Sequence, residues 1–183
     1  MKASVYIATT LDGFIARKNG ELDWLPGSAD GEEEVENDND ELGFKTFIDS
    51  VDVLVMGRNT YELVLSSGQW FYGNKRVIVL SSTLAKISDD LPKTVELRCC
   101  TPTELSIDLQ KSGAHHWYID GGKTIQGFLN AGLINEIIIT KIPILIGNGI
   151  PLFGPLNHDM KLNHLETRSF KNGFVQSKYE VLD

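Results

Sequence analysis

Cysteine is scarce in this chain of 183 residues: there are two, Cys99 and Cys100, and they are adjacent. Neighbouring cysteines rarely meet disulfide geometry, and two thiols cannot build a disulfide framework or a four-ligand zinc site. Long apolar runs are missing as well. No stretch of about 18 apolar residues occurs, and the opening segment MKASVYIATTLDGFIA is too short and too interrupted for a signal peptide. The expectation is a soluble cytoplasmic protein with reduced thiols and no membrane partner. Clustered positive charge is the third absence. Lys and Arg number 17 against 25 Asp and Glu, a net charge of −8, and residues 30–41 (DGEEEVENDNDE) hold eight of the acids and no base. The acidity is therefore local and the remainder is balanced. Without a basic cluster the chain lacks the footprint of a nucleic-acid binder, although a small pocket for one phosphate stays open.

Metal-binding patterns are also lacking. His115, His116, His158 and His164 have no nearby acids at ligand spacing. Asp38, Asp40 and Asp49 imitate a calcium loop, but Leu42 stands at a ligand position and Asp replaces the closing Glu. No metal is expected.

What is present reads as one domain over residues 1–183, long enough to bury roughly 70% of its unfolded surface. Residues 3–8 (ASVYIA), 53–56 (VLVM), 76–80 (RVIVL) and 117–119 (WYI) read as buried strands, with a weaker one at 95–99. Helices are expected up to about Ser50, from Gly57 onward, over 103–111, and over 124–131 before Gly132. This β-α alternation predicts a mostly parallel central sheet flanked by helices. Beyond Glu136 the pattern changes to a strand at 137–142 and two alternating strands about Asn172-Gly173, an antiparallel C-terminal hairpin. Residues 147–151 (GNGIP) read as a loop. The expected fold class is α/β.

Three strand ends carry glycine or hydroxyl residues: Gly57-Arg58-Asn59-Thr60, Leu80-Ser81-Ser82, and Asp120-Gly121-Gly122-Lys123-Thr124. In a parallel sheet these ends lie on one edge, where ligands bind. Backbone N–H groups at helix starts accept phosphate oxygens, and glycine lets a phosphate approach. Arg58 and Lys123 add charge. Each site alone is better explained by tight strand-to-helix packing; three in register describe a pocket for a nucleotide with more than one phosphate. Neither G-x-G-x-x-G after the first strand nor a P-loop is present.

At these residues the chain resembles the dihydrofolate reductase-like family, in the branch that includes the reductase domain of bacterial riboflavin biosynthesis. Leu11-Asp12-Gly13-Phe14-Ile15-Ala16 is similar to the S-L-D-G-x-I-A loop, and residues 55–62 (VMGRNTYE) to I-M-G-R-x-T-x-E. Val79-Leu80-Ser81-Ser82 is similar to I-L-S-S, and Ile119-Asp120-Gly121-Gly122 to I-G-G-G. Residues 143–149 (PILIGNG), with Leu152-Phe153, resemble the P-x-L-L-G-x-G…L-F element. The resemblance implies NADPH, with Arg58 and Ser81-Ser82 near its 2′-phosphate, residues from Gly121 to Ile125 along its pyrophosphate, and Ala8 and Ile15 against the nicotinamide. It further implies a small-molecule substrate and a homodimer.

A hydride donor needs an electron-poor acceptor and a proton source. By the family's spacing, Glu41 corresponds to the carboxylate that holds the pterin, and Thr140 to the threonine that supports it. Glu41 reads equally as a solvated acid at a helix start. Asp120 corresponds to the acid that riboflavin-type reductases carry close to substrate; its alternative is an Asx cap. Phe44 is expected on the substrate side, Trp24 either there or as a cap on the core, and Asp12 is expected to shape its own turn. Two departures separate the chain from folate enzymes: Lys45 replaces an aromatic, and only Lys75-Arg76 matches the arginine for folate's glutamate tail. The zinc deaminase signature fused to many riboflavin reductases is also missing. The expected activity is NADPH-dependent reduction of a small heterocycle, pterin-like or a ribosylaminopyrimidine. The alternative is a nucleotide-binding sensor without turnover, using its acidic segment as an interaction surface.

Overall fold

The computed structural model describes residues 1–26 and 42–182. Ten strands occur among them: β1 (Lys2–Thr10), β2 (Phe14–Ala16), β3 (Val53–Gly57), β4 (Arg76–Leu80), β5 (Val95–Arg98), β6 (His116–Asp120), β7 (Glu136–Ile142), β8 (Ile150–Pro151), β9 (Leu162–Ser169) and β10 (Val175–Val181). The helices are α1 (Phe44–Ser50), α2 (Arg58–Ser66), α3 (Pro102–Lys111) and α4 (Gly122–Asn130). Eight strands form one sheet in the order β5-β4-β3-β6-β1-β7-β10-β9. The first six run parallel, and β10 and β9 close the edge antiparallel. This is the expected α/β arrangement.

Helices cover both faces of the parallel part, which is why β3 is an unbroken apolar run. Leu105 and Leu109 of α3 and Ile125, Phe128 and Leu129 of α4 pack with Val5, Val55, Ile78 and Trp117 on one face. Phe47 of α1 and Tyr61 of α2 pack with Leu54, Met56, Val77 and Tyr118 on the other. Helix α3 starts at Pro102 behind a capping box in which the Thr101 hydroxyl accepts from Glu104 N–H and the Glu104 carboxylate accepts from Thr101 N–H. That satisfies donors which otherwise have no partner. The helix expected up to about Ser50 starts at Phe44, directly behind Gly43 at φ 81°; the acidic run before it lies outside the described residues.

Two elements differ from the sequence expectation. The 147–151 segment contains β8, which pairs with β2 in a separate two-stranded sheet. The hairpin turn is also longer than a two-residue Asn-Gly turn. Phe170 N–H donates to Phe174 O (2.9 Å) and Gly173 N–H to Phe170 O (2.9 Å), with Gly173 at φ 86°. Lys171, Asn172 and Gly173 thus form a three-residue loop with glycine in the left-handed position.

Candidate active site

The register of the parallel strands decides whether the three expected strand ends meet. Gly57 pairs with Leu80, and Met56 with Asp120, so the ends of β4, β3 and β6 are neighbours on one edge of the sheet. Helices α2 and α4 start there side by side. A Cβ on Gly57 would lie 2.8 Å from Thr124 Oγ1, and one on Gly121 (φ 89°) would collide with Thr60 Oγ1. The two glycines let the helix starts interlock through their threonines. Neither α2 nor α4 has a side-chain cap, in contrast to α3. Their first N–H groups and the positive ends of their dipoles are thereby left for an anion. Lys123 and Asn59 are exposed at this edge.

The crevice continues toward β4 and β5. Arg58 Nη1 donates to Thr83 Oγ1 (3.0 Å), and its Nε lies 3.5 Å from Glu62. Ser81 Oγ accepts from the N–H groups of Thr83 (3.1 Å) and Leu84 (2.9 Å). A guanidinium therefore stands over a turn of hydroxyls. Beside it, Leu80, Ser81, Ser82, Cys99, Cys100, Thr101 and Glu104 line a cavity of about 480 Å³. The charge, the hydroxyls and the uncapped helix starts together suit a ligand with phosphates at two separated points.

Asp120 closes the other side. Alternation along the strands puts Tyr6 and Ala8 of β1, Tyr118 and Asp120 of β6, and Thr140 of β7 on the face that α1 covers. The Asp120 carboxylate accepts from Gly121 N–H (2.8 Å), the amide of the cap residue itself, so the Asx cap of α4 expected as its alternative role is not formed. Burial, only partly offset by that bond and by the Tyr118 hydroxyl, pushes its pKa from 3.8 up to about 6. Tyr118 and Tyr72 face this carboxyl. Both are held in their neutral form, by burial first and by the Asp120 charge second. Tyr118 OH donates to Tyr6 O (2.9 Å). A carboxyl that holds a proton near pH 6 among phenols can deliver one to a reacting atom.

The remaining expected residues fall in different places. Ala8 is half-buried and pairs with Thr140, which is 2% exposed and accepts from Gln176 Nε2 (3.1 Å). Phe44 is 40% exposed and packs tilted against Tyr6, with ring centroids 5.3 Å apart. Trp24 is buried against Ile142 and Phe174, with an indole N–H that has no partner among the described residues. Ile15 and Gly122 touch: Ile15 Cδ1 lies 2.8 Å from the position of a Gly122 Cβ. Ile125 sits behind the crevice. It is fully buried and its N–H is spent on Gly121 O (2.8 Å), so its place is in the core. Glu41 lies outside the described residues. Its chain neighbour Leu42 is pinned, since the Leu42 carbonyl accepts from Tyr6 OH (2.7 Å), Gln176 Nε2 (3.1 Å) and Arg168 Nη2 (3.2 Å).

Sequence reasoning missed Thr83, Tyr72, Tyr118, Gln176 and Arg168. For Tyr118 the signal was available, because residues two apart on a strand share a face and Asp120 was already singled out. For Gln176 and Arg168 nothing local pointed to the site; the hairpin brings them there.

Six parallel strands with an antiparallel pair at one edge, and helix starts converging beside a half-buried acid, define a dihydrofolate reductase-like protein. The chain belongs to the RibD C-terminal domain family, whose model matches residues 2–176. It is 34% identical over 170 residues, 92% of each chain, to YwjB of Bacillus subtilis (strain 168), an uncharacterised protein. Among solved structures, a candidate riboflavin biosynthesis protein from Shewanella sp. PV-4 superposes over 100% of both chains with a TM-score of 0.90 and 39% identity. RibD of Acinetobacter baumannii shares the fold at 15% identity, with a TM-score of 0.73 over 99% of this chain and 58% of its own.

Proposed function

We propose that this chain is an NADPH-dependent reductase that transfers hydride to an electron-poor C=N or C=O bond of a small heterocycle, pterin-like or a ribosylaminopyrimidine. The observation that carries the reading is the convergence of two uncapped helix starts, the Arg58–Thr83–Ser81 cluster and the proton-holding Asp120 on one sheet edge. The N–H groups of Gly122, Lys123 and Thr124 and those at Gly57–Thr60 would hold the pyrophosphate, with Gly121 giving it room to approach. Arg58, Ser81 and Ser82 would hold the 2′-phosphate. NADPH supplies the hydride when bound. Asp120 keeps a proton for the atom that gains charge, while Ala8, Phe44 and Thr140 present the α1 face of the sheet to the substrate. A carboxylate at Glu41 would orient the heterocycle from the chain leading into α1. A homodimer forms part of the same reading.

The test follows absorbance at 340 nm with the purified protein, NADPH, and in turn dihydrofolate, dihydrobiopterin and the ribosylaminopyrimidine. Oxidation with one of them supports the reading. NADPH binding without oxidation in any mixture points instead to a nucleotide-binding protein without turnover.

A further inference from the structure

Asp12 was expected to shape its own turn, and it does accept from the Thr10 hydroxyl at 2.6 Å. It also reaches across the molecule, accepting from the backbone N–H groups of Ile146 (3.1 Å) and Gly147 (2.8 Å). These bonds join the segment 11–16 to the segment 143–152. Few other ties do so: Leu11 N–H donates to Ile144 O (2.9 Å), Leu152 N–H to Gly13 O (3.1 Å), and β2 pairs with the two residues of β8. The joined segments lie against the start of α4. Around the position of a Gly122 Cβ, Ile15 Cδ1 is at 2.8 Å and the Pro151 carbonyl at 3.5 Å. The Thr10 hydroxyl first, with the Gly147 and Ile146 amides, holds the Asp12 carboxyl below the usual carboxylate range, so it stays charged at neutral pH.

We propose that Asp12 is a positioning residue for the coenzyme: by tying the 143–152 segment to the 11–16 segment it keeps Ile15 and Pro151 seated at the α4 start, and so sets how long a bound dinucleotide remains there. The inference rests on the coenzyme-binding reading above. An exposed carboxylate holding two amide N–H groups contributes little to global stability, because water replaces it in the opened loop. It contributes directly to the local opening equilibrium of that loop. A useful contrast stands at the opposite end of the strands. Asp52 likewise accepts from two backbone N–H groups, of His115 (2.7 Å) and His116 (2.8 Å), far from the crevice.

The experiment measures NADPH release by stopped-flow fluorescence, together with thermal unfolding, for the wild type, D12A, D12N and D52A. D12A is expected to release NADPH about tenfold faster, with a melting point close to that of the wild type. D12N, which keeps an acceptor for the amides and can donate to Thr10, should stay within about threefold of the wild type. D52A, which removes the same kind of bond pair away from the crevice, should leave both the melting point and NADPH release close to those of the wild type. D12S, too short to span both amides, replaces D12A should that variant not fold. Release from D12A or D12S at the wild-type rate overturns the proposal. A wild type that takes up no NADPH at millimolar concentration overturns the coenzyme reading itself, and the role of Asp12 with it.

Discussion

Replacing Asp120 by Asn should stabilise the protein and damage its chemistry, in opposite pH ranges. Folding raises the Asp120 pKa from 3.8 to about 6, chiefly by burial. Below pH 3.8 the carboxyl is neutral in both the folded and the unfolded chain and costs nothing. As pH rises from 3.8 to about 6, the unfolded chain ionises first and stability falls; above 6 the full cost is carried. The difference between the two values corresponds to about 3 kcal/mol. In a protein of this size that is roughly 6 to 12 °C in melting temperature. D120N removes the ionisation while keeping an acceptor for Gly121 N–H, so at pH 8 it should melt higher than the wild type by that margin, and at pH 4 the two should nearly coincide. The same shift matters for turnover. At pH 7 an acid of pKa about 6 keeps roughly one carboxyl in ten protonated, whereas one at 3.8 keeps fewer than about one in a thousand. The wild-type rate should therefore decline above pH 6, and D120N should be slow with no such decline. Melting curves at pH 4 and 8, with pH–rate profiles, check both halves. A D120N protein that melts lower than the wild type by the same amount at both pH values would refute the argument, because Asp120 would then be a structural cap and not a strained proton carrier.

Three other outcomes are expected. Arg58→Ala should weaken NADPH binding by about tenfold while changing NADH binding little, since the proposed reading assigns Arg58, with Thr83 and Ser81, to the 2′-phosphate; paired titrations of the two coenzymes check it. Glu41→Gln should cut turnover by about a hundredfold and leave NADPH affinity intact, as a split between kcat and coenzyme Kd would show. Gly121→Ala should cost about 2 to 4 kcal/mol, because its φ of 89° strains any side chain and its Cβ meets the Thr60 hydroxyl. Chemical denaturation measures that loss, and NADPH binding should fall with it.

Much of this architecture was legible in the chain. Strands β3 and β4 are covered on both faces, so they appear as uninterrupted apolar runs, and the turn glycine at 173 marks the hairpin. The crevice was legible for a related reason: Gly57 and Gly121 must be glycine where two helix starts interlock, whatever ligand they serve. What stayed hidden depends on partners distant in sequence. The pairing of β2 with β8 joins segments of three and two residues, too short to carry a periodic pattern. Asp12 looks like a local turn residue until Ile146 and Gly147 come to lie beside it. Gln176 looks like an ordinary polar position on an edge hairpin, yet its amide bridges Thr140 and the Leu42 carbonyl. Trp24, which the chain alone leaves open between the substrate side and a cap on the core, is packed against Ile142 and Phe174.

Titration of the purified protein with NADPH, followed by quenching of its own tryptophan fluorescence and repeated with NADH, addresses the nucleotide crevice most directly. Saturable quenching at micromolar NADPH, with NADH clearly weaker, is the predicted result. A flat response up to millimolar NADPH would contradict the crevice as a coenzyme site.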